Sequence, residues 1–281
     1  MRFLPSLIML LVLLQACDAQ NSDSKPHVYI QPNSVTIKER IQIPKNFKRV
    51  YPEDNSFAYY LQNFPLKNEG SNVHYFNGQE KHIQAYHIAV LDIDVGNRDL
   101  QQCADAVMRL RAEYLYDQEN FEAIHFNFTN GFLADYATWR SGRRIKVAGN
   151  KVNWYDSQKE SKSYDSFRRY MDMVFSYAGT LSLSKELKAK PISEMNIGDV
   201  FVQGGSPGHA VLIVDMAFHE KTGERIFLLA QSYMPAQDIH ILKNVANTSY
   251  GPWYSVEDMK ESLRTPEWTF SAKDLKSFST N

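Results

Sequence analysis

The residue of this sequence best suited to covalent chemistry is Cys103, set in "DLQQCADAVMRLRAEY" (residues 99–114). The spacing of Leu100, Val107 and Leu110 predicts a helix beginning near Leu100 and capped by Asp99 or Asn97, with Cys103 in its first turn. A thiol there faces free backbone N–H groups and the positive end of the helix dipole, which favour the thiolate. The same donors, joined by the side-chain amides of Gln101 and Gln102, suit an oxyanion developing on an attacked carbonyl. A thiol nucleophile also needs an imidazole to take its proton. Of the eight histidines, His209 is singled out by context, because it follows a Gly-Gly-Ser-Pro-Gly turn that leaves room for a ligand and opens the strand "HAVLIVDMAF". The competing reading is that Cys103 is a small buried hydrophobe on the apolar helix face, with Gln101 and Gln102 as solvated surface.

What the thiol means depends on where the chain resides. Arg2, the apolar run Leu7–Leu14 and the abrupt polarity from Asp18 onward have the form of a secretory signal, too short to span a bilayer. Leu14-Gln15-Ala16-Cys17 resembles the lipobox of bacterial lipoproteins, which implies cleavage before Cys17 and its lipidation. The expected organisation is a signal peptide at 1–16, a lipidated polar tether at 17–45 and a single domain at 46–281. The expected location is the bacterial cell envelope, lipid-anchored and extracytoplasmic, facing the periplasm or the cell surface. Only two cysteines are present, so Cys103 has no intrachain disulfide partner once Cys17 carries lipid. A formal net charge of -1 without a long basic run argues against nucleic acid as a partner. No cofactor or metal motif stands out. Asp92 and Asp94 form an alternate pair on one strand face, but no histidine at ligand spacing joins them.

The elements that must position these residues follow from hydrophobic periodicity. "EDNSFAYYLQNFP" predicts a capped helix stopped by Pro65, and "HIAVLDIDV" a half-buried strand. A longer helix is expected through Phe167, Tyr170, Val174, Ala178 and Leu181. Strands follow at 198–203, 209–218, 225–233 and 238–242. Helices early and antiparallel strands late predict an α+β fold.

The run Gly198-Asp199-Val200-Phe201, its glycine-rich turn and His209-Ala210-Val211 resemble the histidine segment of papain-like cysteine peptidases of the NlpC/P60 type. The resemblance implies a papain-like arrangement of helices packed on an antiparallel sheet, with Cys103, His209 and Gln231 as catalytic residues in that chain order. It also implies an amide-directed thiol hydrolase or acyl transferase, for which peptidoglycan stem peptides are the substrate at hand in an envelope. "SFAYYLQNFPLK", "QQCADAVMRLRAEYLY", "GHAVLIVDMA", "LLAQSYMPAQDIHILKN" and "TPEWTF" together resemble an uncharacterised bacterial lipoprotein family known as a domain of unknown function. That likeness implies an envelope location, brings no established activity with it and leaves the chemistry to the residues.

Register tests the third residue. A hairpin turning at Lys221 and Thr222 sets His209 opposite Met234, so Gln231 meets the imidazole only if a bulge shifts the pairing; otherwise Tyr233 or Gln237 orients it, or no triad exists. The aromatic set Trp139, Trp154, Tyr155, Trp253, Tyr254 and Trp268 is expected chiefly in core and rim packing, with a ligand groove as the alternative. Three functional readings therefore stand: a thiol hydrolase or acyl transferase, a lipid-anchored binding protein, and a structural envelope protein with Cys103 in its core.

Overall fold

A computed structural model describes residues 29–259 and 262–279. The expected signal segment and Cys17 lie outside the described residues. In chain order the elements are α1 (Ile37–Arg40), β1 (Phe47–Arg49), α2 (Phe57–Gln62), β2 (His87–Val90), α3 (Cys103–Asp117), β3 (His125–Asn127), β4 (Leu133–Asp135), α4 (Tyr136–Arg140), β5 (Arg143–Ala148), β6 (Lys151–Asp156), α5 (Tyr164–Tyr177) and α6 (Thr180–Glu186). Strands then dominate: β7 (Lys188–Ala189), β8 (Val200–Gln203), β9 (His209–His219), β10 (Arg225–Gln231), β11 (His240–Leu242), β12 (Tyr254–Ser255), β13 (Leu263–Arg264), β14 (Thr269–Phe270) and β15 (Leu275–Ser277).

A nine-stranded sheet runs in the order β2-β11-β10-β9-β8-β15-β7, with β1 added beside β9 and β12 beside β10. All its pairings are antiparallel. Its centre is β9, an 11-residue strand buried from His209 to Ala217. Continuous burial on both faces explains why "HAVLIVDMA" is apolar without alternation.

The papain-like, helix-packed-on-sheet expectation is not what the chain adopts. The protein is mostly antiparallel sheet with few helices. The difference arises from short strands that carry too few residues to show a period: β1, contributed by the N-terminal half, and β7, β12 and β15 widen the sheet.

Local differences have local causes. The core begins before residue 46, because Ile37 and Ile41, inside the segment expected as tether, are fully buried. The strand expected over 87–95 pairs only through Val90, after which Leu91 makes an isolated bridge to Leu66 and the chain leaves the sheet, taking Asp92 and Asp94 into a loop. The helix expected through Leu181 is two helices, interrupted where Ala178 and Gly179 take extended backbone. Cys103 is the first residue of α3, with Gln102 as the N-cap. That helix is buried nearly all round, including Ala104, Val107, Met108, Leu110 and Leu115. Burying each of its large apolar side chains stabilises the fold by about 1.5–3 kcal/mol, so α3 is a central support and a rigid mount for whatever sits at its start.

Candidate functional site

Two antiparallel strands bring His209 and Gln231 together through a register shift. From Arg225↔Phe218 to Leu228↔Asp215 the β9–β10 hairpin keeps the pairing expected from its turn. A bulge between Leu228 and Leu229 then moves it by one, giving Leu229↔Ile213 and Ala230↔Leu212. Strand side chains alternate, so a one-residue shift exchanges faces. With the shift, Gln231 and His209 both lie on the face opposite the Leu212–Ala230 pair, as diagonal neighbours. His209 Nε2 and Gln231 Oε1 are 2.9 Å apart.

His209 is 1% exposed and ringed by aromatic side chains. Tyr233 meets it edge-on at 4.9 Å between ring centroids, Trp268 at 5.4 Å and Phe270 at 5.8 Å. Gln203, paired with His209 across β8 and β9, accepts a hydrogen bond from Trp268 Nε1 at 3.0 Å and so pins the indole beside the imidazole. Of the six aromatic residues singled out in the sequence, Trp268 alone packs on this ring; Trp139, Trp253 and Tyr254 are core, and Trp154 packs on Phe132. Burial pushes the His209 pKa down to about 4, against the opposing influence of Gln231 and Glu267. The ring is therefore neutral near pH 7.

Cys103 sits against the same strand start. The backbone N–H groups of Ala104, Ala210 and Cys103 itself favour its thiolate, and Ala210 directly follows His209. Burial nonetheless dominates and, with Asp105 nearby, pushes the thiol up to about 11. The lowered pKa expected from the helix N-terminus is thus reversed, because the dipole is outweighed by desolvation of a side chain only 6% exposed. Asp105 is itself a buried carboxyl raised well above its usual range by desolvation, and its Oδ2 accepts from the Gln102 N–H.

Cys103 is buried but not sealed. It lines an open cleft of about 570 Å³ together with Asp99, Phe175, Thr180, Gly208 and Met234. A cavity of about 500 Å³ elsewhere, walled by Asn247, Asp258 and Arg264, holds neither thiol nor imidazole. The glycine turn expected to leave ligand room serves close packing as well. A Cβ on Gly208 would crowd Thr180 Oγ1 and the carbonyls of Gln203 and Gly205, so the loop presses against α6 only with glycine at that position.

The two residues expected to hold an oxyanion do other work. Gln101 is buried, its Oε1 accepts from Arg109 Nη1 at 2.9 Å, and its Nε2 has no partner. Gln102 lines the cleft, but its amide donates to Asp99 Oδ1 at 3.0 Å. The backbone N–H groups at the start of α3 are the donors that remain. Sequence reasoning missed Lys81 and Glu267, a part-buried salt bridge of 2.7 Å whose carboxylate accepts from Gln231 Nε2 at 2.6 Å; His240, a surface or structural residue by its sequence context, is buried opposite Gln231 on β11. The acid beside Trp268 in "TPEWTF" was the available signal for Glu267; Lys81 had none. Among the described residues no group of His, Cys, Asp and Glu is arranged to hold a metal ion, and no helix is long and apolar enough to cross a membrane.

A family model described as domain of unknown function (4846) matches residues 37–277. No curated protein and no solved structure matches the chain.

Proposed function

We propose, for a chain that belongs to the domain of unknown function (4846) family, a thiol-dependent hydrolase or acyl transferase that acts on amide bonds. The observation that carries this reading is the hydrogen-bonded His209–Gln231 pair at the start of β9, where the next residue, Ala210, offers its N–H to the helix-initial Cys103 that opens on a cleft. Cys103 is the nucleophile, His209 the base and then the acid, and the backbone N–H groups at the start of α3 the oxyanion donors. Gln231 orients the imidazole.

The electrostatics define how such a pair works. With the thiol near 11 and the imidazole near 4, forming the ion pair in the closed site costs on the order of 10 kcal/mol before mutual attraction is counted. Cys103 and His209 therefore rest neutral. The thiol proton moves to the imidazole nitrogen not engaged by Gln231 as sulfur bonds to the substrate carbonyl carbon. The imidazolium returns that proton to the leaving amine when the C–N bond breaks, and water or a second amine then releases the acyl group.

Lipidation at Cys17 would hold this domain at a bacterial envelope membrane, where peptidoglycan stem peptides are the accessible amides. The burial of Cys103 favours a second reading, a lipid-anchored binding protein that uses the cleft without turnover. One experiment separates the two. A dipeptidyl nitrile, which presents an amide-like carbon to a thiol, is incubated with the folded protein and its adduct mapped by mass spectrometry. The enzyme reading expects an adduct on Cys103 that is lost in Cys103→Ala and forms at least about 100-fold more slowly in His209→Ala. Reaction only after unfolding sinks it.

A further inference from the structure

The hydrogen bonds around Gln231 can each run in only one direction. The backbone carbonyl of Asp238 can only accept, so His240, 2.9 Å away, donates to it from Nδ1. His240 is fully enclosed, with its pKa pushed down to about 3 by burial, and is therefore neutral with a bare Nε2. That nitrogen lies 3.4 Å from Gln231 Nε2, and Glu267 Oε2 lies 2.6 Å from the same atom. Two acceptors thus face one end of the Gln231 side chain, which fixes that end as the NH2 group. The other end, its carbonyl, must then accept from His209 Nε2–H at 2.9 Å. Nδ1 of His209 is left bare, and no described residue hydrogen bonds to it.

The glutamate is held in turn. Lys81, 7% exposed, bridges Glu267 at 2.7 Å and lies over the Tyr233 ring at 5.8 Å. Residues 186 positions apart in the chain therefore meet behind the imidazole and aim an amide at it.

We infer that Glu267, anchored by Lys81, is a positioning residue that turns the Gln231 amide so that the His209 proton sits on Nε2 and the lone pair on Nδ1. Its catalytic meaning rests on the thiol chemistry proposed above; the tautomer itself does not. An amide left free to flip would present NH2 to His209 half the time, which selects the tautomer protonated on Nδ1 and removes the base.

Long-range proton–nitrogen correlation spectra of ¹⁵N-labelled protein at pH 7 read both rings. The wild type is expected to carry the His209 proton on Nε2 and the His240 proton on Nδ1. In Glu267→Gln, and in the double variant Lys81→Met/Glu267→Gln that leaves no buried charge unpaired, His209 is expected to become a mixture of tautomers while His240 keeps its own. Reaction of Cys103 with the dipeptidyl nitrile is expected to slow by roughly tenfold or more. A wild-type His209 protonated on Nδ1 overturns the inference without any variant, as does a variant that folds and keeps the wild-type tautomer. A tautomer that shifts in a protein inert to the nitrile supports the positioning role and removes only the hydrolase reading.

Discussion

The two ends of β9 carry two buried polar clusters built to different ends. At the C-terminal end Asp215, fully buried, is saturated: Arg49 pairs with Oδ2, while Gln62 Nε2 at 2.7 Å and the Met216 N–H at 2.8 Å share Oδ1. Arg49 is covered by the Trp253 ring. At the N-terminal end the network from Lys81 through Glu267 and Gln231 to His209 stops one bond short, leaving a bare ring nitrogen one residue before Ala210, whose N–H faces the thiol of Cys103. A network that gives each carboxylate oxygen a donor holds strands together. One that leaves a lone pair bare is equipped to accept a proton.

The largest expected effect comes from breaking the closed cluster. Asp215→Ala strands a buried guanidinium and should cost about 3–5 kcal/mol in urea unfolding, while nitrile capture by the protein that remains folded stays unchanged. A smaller fall in stability would mean that Arg49 finds another partner and that the two ends differ less than their geometry implies.

Acid should separate the ends next. His209 and His240 are held near 4 and near 3 in the folded protein, so between about pH 6.5 and 4 the unfolded chain binds protons that the folded one refuses. Stability is lost as pH falls through that window, on the order of 3 kcal/mol per histidine. Asp215 runs the other way. Burial raises it to about 6, so the folded state takes up a proton below that value before the unfolded state does, and stability is gained on the same descent. Asp215→Asn removes the gain, and its urea midpoint should drop more steeply than wild type from pH 6 to pH 4.5. Parallel pH curves for the two proteins would contradict the opposition of signs.

The smallest expected effect on stability falls on the residue expected to matter most to chemistry. Cys103→Ala deletes one sulfur at the edge of a cleft and should change unfolding by only about 1 kcal/mol, while abolishing the covalent adduct. A loss of several kcal/mol would return Cys103 to the core as a structural residue.

Much of this arrangement was legible in sequence, for reasons that can be named. Strands β8 to β11 announced themselves through β-branched runs and turn residues, and the hairpin turn fixed its first four pairs. The bulge that brings Gln231 to His209 was an open alternative, since no residue in "VLIVDMAF" marks where the extra one goes. The state of the Cys103 thiol stayed open between activated nucleophile and buried hydrophobe because first-turn placement is a local property, whereas burial is set by β9, the β8–β9 loop and α5 arriving from elsewhere. The papain-like layering failed because two- and three-residue strands such as β7, β12 and β15 leave no periodic trace. Lys81 and Glu267 stayed hidden because their partnership spans most of the chain, and only Glu267, in "TPEWTF", stands in a recognisable segment.

The bulge between Leu228 and Leu229 makes this hairpin a matter of parity. Within the stretch that joins the turn to His209 and Gln231, removing or adding one residue on a single strand would send the glutamine to the far side of the sheet, whereas a change of two would restore it. Chains that diverge here while retaining the same chemistry should therefore differ in strand length by even steps, and an odd step would mark a lineage that has given up the pair.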